Sequence, residues 1–334
     1  MRIEDEIKLT FDDVLIRPKR STLVSRSEVV LERQFKFKHT NEIWTGVPIF
    51  SANMDTTGTF ETAITLQKHK MLTAIHKFYS IKDWEKNVEK LDPNFISVTV
   101  GQSKEDLQLG QKIFSLNSDI KYLCIDVANG YREDFINSVK NYRETFPDKI
   151  IIAGNVATRE MTEALILAGA DIVKIGIGPG SVCTTRSVAG VGYPQLSSIS
   201  ECSDAAHGLG GHVMADGGCK YPGDVSKAFG AGADYVMLGG MFAGHKESGG
   251  ELVTDEEGVQ YKDFYGMSST KAQQTYYGDL AEHRAPEGKK VRLRYKGELD
   301  KTVQSILGGM RSACSYVGAK TVSYTHLTLP TSPH

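Results

Sequence analysis

Eight short apolar runs recur along this chain, most of them closing on Gly, Asn, Asp or Lys, and they constrain its fold more than any other feature. They are Pro48–Asp55, Leu72–Lys77, Phe95–Gly101, Tyr122–Gly130, Ile150–Val156, Ile172–Gly180, His212–Gly218 and Tyr235–Phe242. A run that is apolar at nearly every position reads as a strand buried on both faces, the situation of a parallel sheet covered by helices. Amphipathic stretches lie between the runs: Thr59–His69, Tyr131–Phe146 with Pro147 as its stop, Thr158–Ala168 with Thr158 as N-cap, and Asp224–Phe229. Eight alternating units predict an α/β fold of the (β/α)8 TIM-barrel type. An open doubly wound sheet is the architectural alternative, but no GxGxxG follows the first run.

Residues 1–320 read as one barrel domain. Its longest interruptions are an active-site loop at 178–195 and a flap at 245–297, both after strand ends, where barrel enzymes keep their chemistry. From Thr321 the text TVSYTHLTLPTSPH lacks helical period and charge, so residues 321–334 read as a non-native tail from cloning or an adapter. The net charge of −2 gives no electrostatic reason to bind nucleic acid or a lipid surface, and leaves a small phosphorylated ligand open. No apolar run is long enough to span a membrane, and the N-terminus is too charged for a secretory signal. Five cysteines, odd in number and without metal-ligand spacing, suit free thiols in a reducing cytoplasm. No HxH or HExxH is present, so zinc or iron chemistry is not expected, and His76 reads as a packed histidine.

Cys183 lies in Gly178-Pro-Gly-Ser-Val-Cys-Thr-Thr-Arg186, just past the sixth run. The glycines allow a sharp turn and close approach to a ligand, and the position puts the thiol at the barrel mouth. A thiolate there is a strong nucleophile, and Arg186 could favour that form. Ser181 could donate to a phosphate, and the carbonyls of Gly178, Gly180 and Cys183 could ligate a monovalent cation. Asp216-Gly217-Gly218 and Gly239-Gly240 end the seventh and eighth runs, where barrels commonly bind phosphate on exposed backbone N–H groups. Asp216 could accept both hydroxyls of a ribose. Lys77 and Asp126 end the second and fourth runs, suiting a cofactor phosphate or carboxamide and the nicotinamide side respectively. Glu287 gains weight only if Thr185 can relay a proton to or from it.

These residues and the strings GPGSVCTTR, MADGGC, MLGGMFAGHKESGGE and DFYGMSS closely resemble the IMP dehydrogenase/GMP reductase family, over about Leu9 to Lys320. The resemblance favours the reductase branch. No regulatory insert of about a hundred residues fits between Leu72 and Tyr122, and the flap text YYGDLAEHRAPEGK lacks the water-activating Arg-Tyr pair of the dehydrogenases; the one such dipeptide is Arg294-Tyr295. The implied activity is NADPH-dependent conversion of GMP to IMP and ammonia, with an IMP dehydrogenase lacking regulatory domains as the alternative and a non-catalytic nucleotide binder as the rival of another class. Cys183 would form a thioimidate at purine C2, with Thr185 and Glu287 protonating the departing ammonia. By the same resemblance GMP would be held by Ser181, Asp216, Gly217 and Gly218, by Gly239 and Gly240, by Gly266, Met267 and Ser268, and by Arg284, Ala285, Pro286 and Gly288. The cofactor would touch Ser25, Arg26, Lys77, Asp126, Val127 and Ala128. It would also touch Ile177, Gly178, Met267, His283 and Arg284 and, from a neighbouring subunit, Ser312, Ala313, Cys314 and Ser315. Potassium would sit on carbonyls of Gly178, Gly180, Cys183 and Arg186, and a homotetramer is implied.

Overall fold

All eight predicted runs form strands of one closed parallel barrel. In the computed structural model, which describes residues 5–278, 285–322 and 331–333, they are β1 (Ile49–Ser51), β2 (Leu72–Ile75), β3 (Ile96–Val100) and β4 (Tyr122–Asp126), then β5 (Ile150–Val156), β6 (Ile172–Ile175), β7 (His212–Asp216) and β8 (Tyr235–Leu238). β8 closes on β1 in parallel, with Val236 opposite Ile49. Most strands stop two to five residues before their apolar runs do, whereas β3 stops one residue short and β5 ends with its run. The surplus residues turn outward as loops at the C-terminal mouth, because ladder pairing ends where the barrel opens.

Helices cover the outer face: α1 (Phe60–Leu66), α2 (Ile81–Asn87), α3 (Lys104–Leu116), α4 (Glu133–Thr145), α5 (Arg159–Leu167), α7 (Gln195–Gly208) and α8 (Pro222–Gly230), while the single turn α6 (Thr185–Val188) lies in the loop after β6 at the mouth. Thr158 occupies the N-cap position of α5 as its sequence suggested, but its hydroxyl makes no capping bond. It accepts instead from the Tyr131 hydroxyl at 3.3 Å. Two further helices, α9 (Thr270–Tyr276) and α10 (Leu299–Val317), belong to the flap and to the C-terminal side of the barrel. The flap is also more regular than its Gly- and charge-rich text suggests. Leu252–Thr254, Gln260–Tyr265 and Lys290–Arg294 make a three-stranded antiparallel sheet.

The barrel interior is filled from below. Inward side chains such as Phe50, Leu72, Tyr122, Ile152, Ile172 and Met237 form one buried cluster with Phe35 and Trp44. Those last two come from an antiparallel ribbon, Arg33–Lys36 with Ile43–Gly46. Phe35 stacks on Tyr235 at 4.6 Å, and Trp44 meets Tyr122 edge-on at 6.1 Å. This aromatic plug closes the lower end, so the open mouth lies at the C-terminal ends of the strands, as in barrels generally. On the opposite wall α10 packs against α8, contributing Val303, Ile306 and Met310 to a second core. Beyond it Thr321 bridges to Val30, Val322 is buried, and Thr331–Pro333 pairs antiparallel with Val14–Ile16.

His76, just past β2, is buried and stacked on Tyr79 at 4.0 Å, with Nδ1 accepting from the Phe78 amide. Burial pushes its pKa down to about 4, so it is neutral in the fold, a packed histidine. The unfolded chain takes up this proton near pH 6.5, the folded chain only at lower pH. Stability is therefore present above that window and falls as pH drops through it, by about 2 kcal/mol between pH 7 and pH 5. His76→Phe, which keeps the aromatic stack, should shrink the fall in urea midpoint between those two pH values; an unchanged fall would refute the assignment.

Candidate active site

The loop after β6 turns where only glycine fits. A Cβ on Gly176 would lie 2.1 Å from the Asp216 carbonyl oxygen, and Gly178 has φ +78 with its would-be Cβ 2.6 Å from Arg186 Cγ. Arg186 then staples the loop to itself, donating from Nε to the Ile177 carbonyl and from Nη2 to the Tyr193 carbonyl. Burial pulls this guanidinium below its usual pKa, against the opposing pull of Cys183 nearby. Cys183 is half-buried at the mouth, facing an open cleft of about 230 Å³ that is also lined by Asn155, Lys174, Asp216 and Glu287.

Cys183, Thr185 and Glu287 meet as one chain of contacts. Cys183 Sγ lies 3.3 Å from Thr185 Oγ1, and Thr185 Oγ1 donates to Glu287 Oε2 at 2.7 Å. Glu287 arrives from the flap, 102 residues further on, and the backbone holds it there. The Thr184 amide donates to the Glu287 carbonyl at 3.0 Å, the Lys289 amide to the Val182 carbonyl at 2.9 Å, and the Glu287 amide to the Ser268 carbonyl at 3.1 Å. Gly266 and Gly288 permit this crossing, since a Cβ on Gly266 would sit 2.9 Å from the Val182 carbonyl oxygen. Ala285 and Pro286 are exposed beside it, and the Thr184 hydroxyl donates to the Pro286 carbonyl at 3.4 Å.

The two glycine pairs converge on the same loop. A Cβ on Gly217 would lie 3.1 Å from the Gly180 nitrogen, and one on Gly240 would lie 3.0 Å from Ser181 Oγ. Gly217 and Gly218 have φ of +86 and +90, which glycine adopts freely. Lys296, not singled out in the sequence, adds a cation here: its Nζ donates to the Gly240 carbonyl at 3.2 Å, and burial lowers its pKa. Glycines with no side chain, a hydroxyl and an ammonium brought to one loop suit an anion.

Asp126 and Asp216 prove to be linked by Lys174, which sequence reading passed over. Its Nζ donates to Asp126 Oδ1 at 2.7 Å and Asp216 Oδ2 at 3.0 Å. Asn155 Nδ2 also donates to Asp216 Oδ2, at 2.8 Å. Lysine in the middle of an apolar barrel strand was the available signal. Lys174 shares inward parity with Ile172, and a buried ammonium must have partners.

A second cleft adjoins the first, sharing Asp126, Val127, Ala128, Met267 and Ser268 with it and extending past Lys77 to Gln102 and Arg132. Ile177 and Gly178 line the first cleft only. The remaining expected cofactor residues stand elsewhere. Ser25 and Arg26 form an exposed turn packed on α10, whose last turns carry Ser312, Ala313, Cys314 and Ser315, and neither cleft includes them. The Cys314 side chain is in the core, while Ser312, Ala313 and Ser315 are half-exposed. His283 and Arg284 lie outside the described residues. Arg294-Tyr295 ends a flap strand, six residues or roughly 20 Å of extended chain from Gly288, where the Tyr295 amide donates to the Gln260 carbonyl. Among the described residues no group of three or more His, Cys, Asp or Glu side chains is arranged to hold a metal ion, and no helix is long and apolar enough to cross a membrane.

Known proteins share this arrangement of sequence. The family model described as "IMP dehydrogenase / GMP reductase domain" matches residues 8–328. A protein of Escherichia coli O81 (strain ED1a) named GMP reductase is 58% identical over 322 residues, covering 96% of this chain and 92% of its own length. Proteins of the same name from Buchnera aphidicola subsp. Acyrthosiphon pisum (strain Tuc7) and from Aeromonas hydrophila subsp. hydrophila are 57% and 56% identical, again over 96% of this chain and 92% of theirs. With a family model matched across nearly the whole barrel and relatives this similar at full length, the chain belongs to the IMP dehydrogenase / GMP reductase family.

Proposed function

We propose that this chain is an oxidoreductase that converts GMP to IMP and ammonia with NADPH, through a covalent intermediate on Cys183. The continuous Cys183–Thr185–Glu287 contact chain is the observation that carries this reading, because it joins a nucleophile to a proton relay at one end of the open cleft. The names of the relatives supply the substrate.

The residues divide the work as follows. Cys183 Sγ attacks purine C2, and the C2–N bond breaks as the amino group leaves. Thr185, hydrogen-bonded to Glu287, passes the proton that this group needs to depart as ammonia. When bound, NADPH would supply the hydride that replaces sulfur at C2; IMP would then be released, with Cys183 leaving as the thiolate and taking back a proton. Ser181, Gly217, Gly218, Gly239, Gly240 and Lys296 hold the phosphate, Asp216 the ribose hydroxyls, and Gly266, Met267, Ser268 and Gly288 the base. Ala285 and Pro286 complete the cover from the flap. Arg284 as a GMP and cofactor contact, and His283 as a cofactor contact, rest on the family resemblance alone and lie outside the described residues. Asp126, Val127, Ala128, Ile177, Gly178, Met267 and Lys77 line the nicotinamide and pyrophosphate path. Lys77 fits that role because its ammonium sits over Phe78 at 5.9 Å beside the open second cleft.

The placement of Ser25 and Arg26 on α10 beside Ser312–Ser315 supports a shared site, in which this group would reach the cofactor of a neighbouring subunit in a homotetramer. The loop carbonyls of Gly178, Gly180, Cys183 and Arg186 would hold potassium. A neutral carbonyl shell suits a monovalent ion, and the Gly180 carbonyl, which accepts from the Cys183 amide at 3.1 Å, keeps a second lone pair for it. Residues 1–320 form the catalytic domain in this reading, 321–334 are a non-native tail although Thr321, Val322 and Thr331–Pro333 pack or pair against the barrel domain, and the enzyme is cytoplasmic.

Absorbance at 340 nm tests the reading directly. Loss of signal with NADPH and GMP supports it, whereas a gain with IMP and NAD would make the chain a dehydrogenase. Cys183→Ala should retain GMP affinity within about tenfold while losing turnover by about 10⁴-fold, since binding and bond-making use different groups; retained turnover would overturn the covalent step. Glu287→Gln should slow ammonia release by about 10²-fold and hydride transfer far less in single-turnover experiments; equal slowing of both would remove the relay role. Gly240→Ala should push Ser181 off the anion site and raise KM for GMP about tenfold with kcat little changed, and an unaltered KM would show that the phosphate lies elsewhere.

A further inference from the structure

The barrel mouth holds a buried ammonium to which the steps above give no part. Lys174 is 2% exposed, at a level where side chains of four neighbouring strands are in register: Asp126 pairs with Gly154, Gly154 with Lys174, and Lys174 with Met214. Gly154 leaves the gap between them open, since a Cβ there would lie 2.6 Å from Lys174 Cβ. Through that gap Nζ reaches Asp126 at 2.7 Å on one side and Asp216 at 3.0 Å on the other. Two carboxylates therefore face each other across a single nitrogen. Among the described residues, the other groups nearby do not supply a second cation. Asn155 is a neutral amide, Cys124 below is a thiol that burial pushes up to about 12, and Cys183 and Glu287 border the same cleft from the loop and the flap. Burial alone would lower the Lys174 pKa, but Asp126 and Asp216 outweigh it and hold the ammonium above its ordinary value.

Resting on the assignment of Asp216 to the ribose and Asp126 to the nicotinamide side, we propose that Lys174 is a positioning residue that keeps both carboxylates ionised together, so that nucleotide and cofactor can occupy the site at once. Two carboxylates on either side of one nitrogen, left without that counter-ion, repel each other, so that charge on one disfavours charge on the other. Each ligand is held through a charged acceptor in this assignment. Without Lys174, the first ligand to bind would favour charge on its own carboxylate at the expense of the other. Ligands that bind together in the native protein would then oppose each other.

Calorimetric titration with GMP and NADP+, a pair that cannot turn over, reads this coupling. In the native chain each affinity should change by less than about threefold when the other ligand is present. Lys174→Met should bind either ligand alone within about tenfold of native, yet bind the second at least about thirtyfold more weakly once the first is in place. That antagonism should fade as pH is raised and both carboxylates ionise, and Lys174→Arg should abolish it. Equal weakening with and without the other ligand, or an antagonism indifferent to pH, would reduce Lys174 to a structural role and overturn the proposal. If the native chain binds neither ligand, the assignment of the site falls and the proposal with it. If Lys174→Met does not fold, the double variant Lys174→Met/Asp126→Asn removes one carboxylate along with the ammonium. It should fold and bind GMP within about tenfold of native with no new pH dependence; a double variant equally unable to fold would overturn the counter-ion role.

Discussion

The site depends on a few backbone hydrogen bonds between two segments far apart in sequence. Val182–Thr184 of the loop after β6 pairs with Glu287–Lys289 of the flap, a bridge fixed by the Thr184 and Lys289 amides. Backbone pairing of this kind sets position to within a fraction of an ångström, which a pair of side chains on mobile loops would not. It brings a carboxylate against a hydroxyl and the hydroxyl against a thiol. The glycines at 266 and 288 exist in this light to let two chains cross where any side chain would intrude.

Below that bridge the barrel provides a rigid base. Its lower end is closed by Phe35 and Trp44, so the polar groups that cannot be buried are gathered at the top layer. There the inward positions change from apolar to charged: Tyr122 and Cys124 give way to Asp126, Ile172 to Lys174, and Met214 to Asp216. The charges compensate one another, as charges in a low-dielectric interior must. The same residues form the floor of the cleft, so the requirement for paired burial and the requirement for ligand acceptors are met by one cluster.

Much of this was legible in the sequence. The eight apolar runs gave the barrel, and the glycine-flanked cysteine marked the loop proposed to carry the nucleophile, because apolar continuity and turn chemistry are local properties. Of the three antiparallel flap strands, two were not legible. Leu252–Thr254 is only three residues long and Gln260–Tyr265 does not alternate cleanly, so pairing across a long interval is what makes them strands; Lys290–Arg294 does alternate charged with apolar residues and carried a strand signal that was passed over. Lys174 was legible in principle through its parity with Ile172, and its partners could then have been sought among the inward residues of neighbouring strands.

Asn155 marks the limit. Counting alternately along β5 from the inward Ile150 and Ile152 would place Asn155 outside the barrel. A register shift between Gly154 and Val156 turns it inward, where its amide reaches Asp216. The grouping of Ser25 and Arg26 with α10 rather than with Lys77 is of the same kind. The sequence by itself determined the strand order, the turn positions and the kinds of reactive group, since each follows from a few neighbouring residues. Only the tertiary structure decided which of these groups touch. Contact depends on how separate segments are brought into register, and a shift of one residue is enough to move a side chain from one face of a strand to the other.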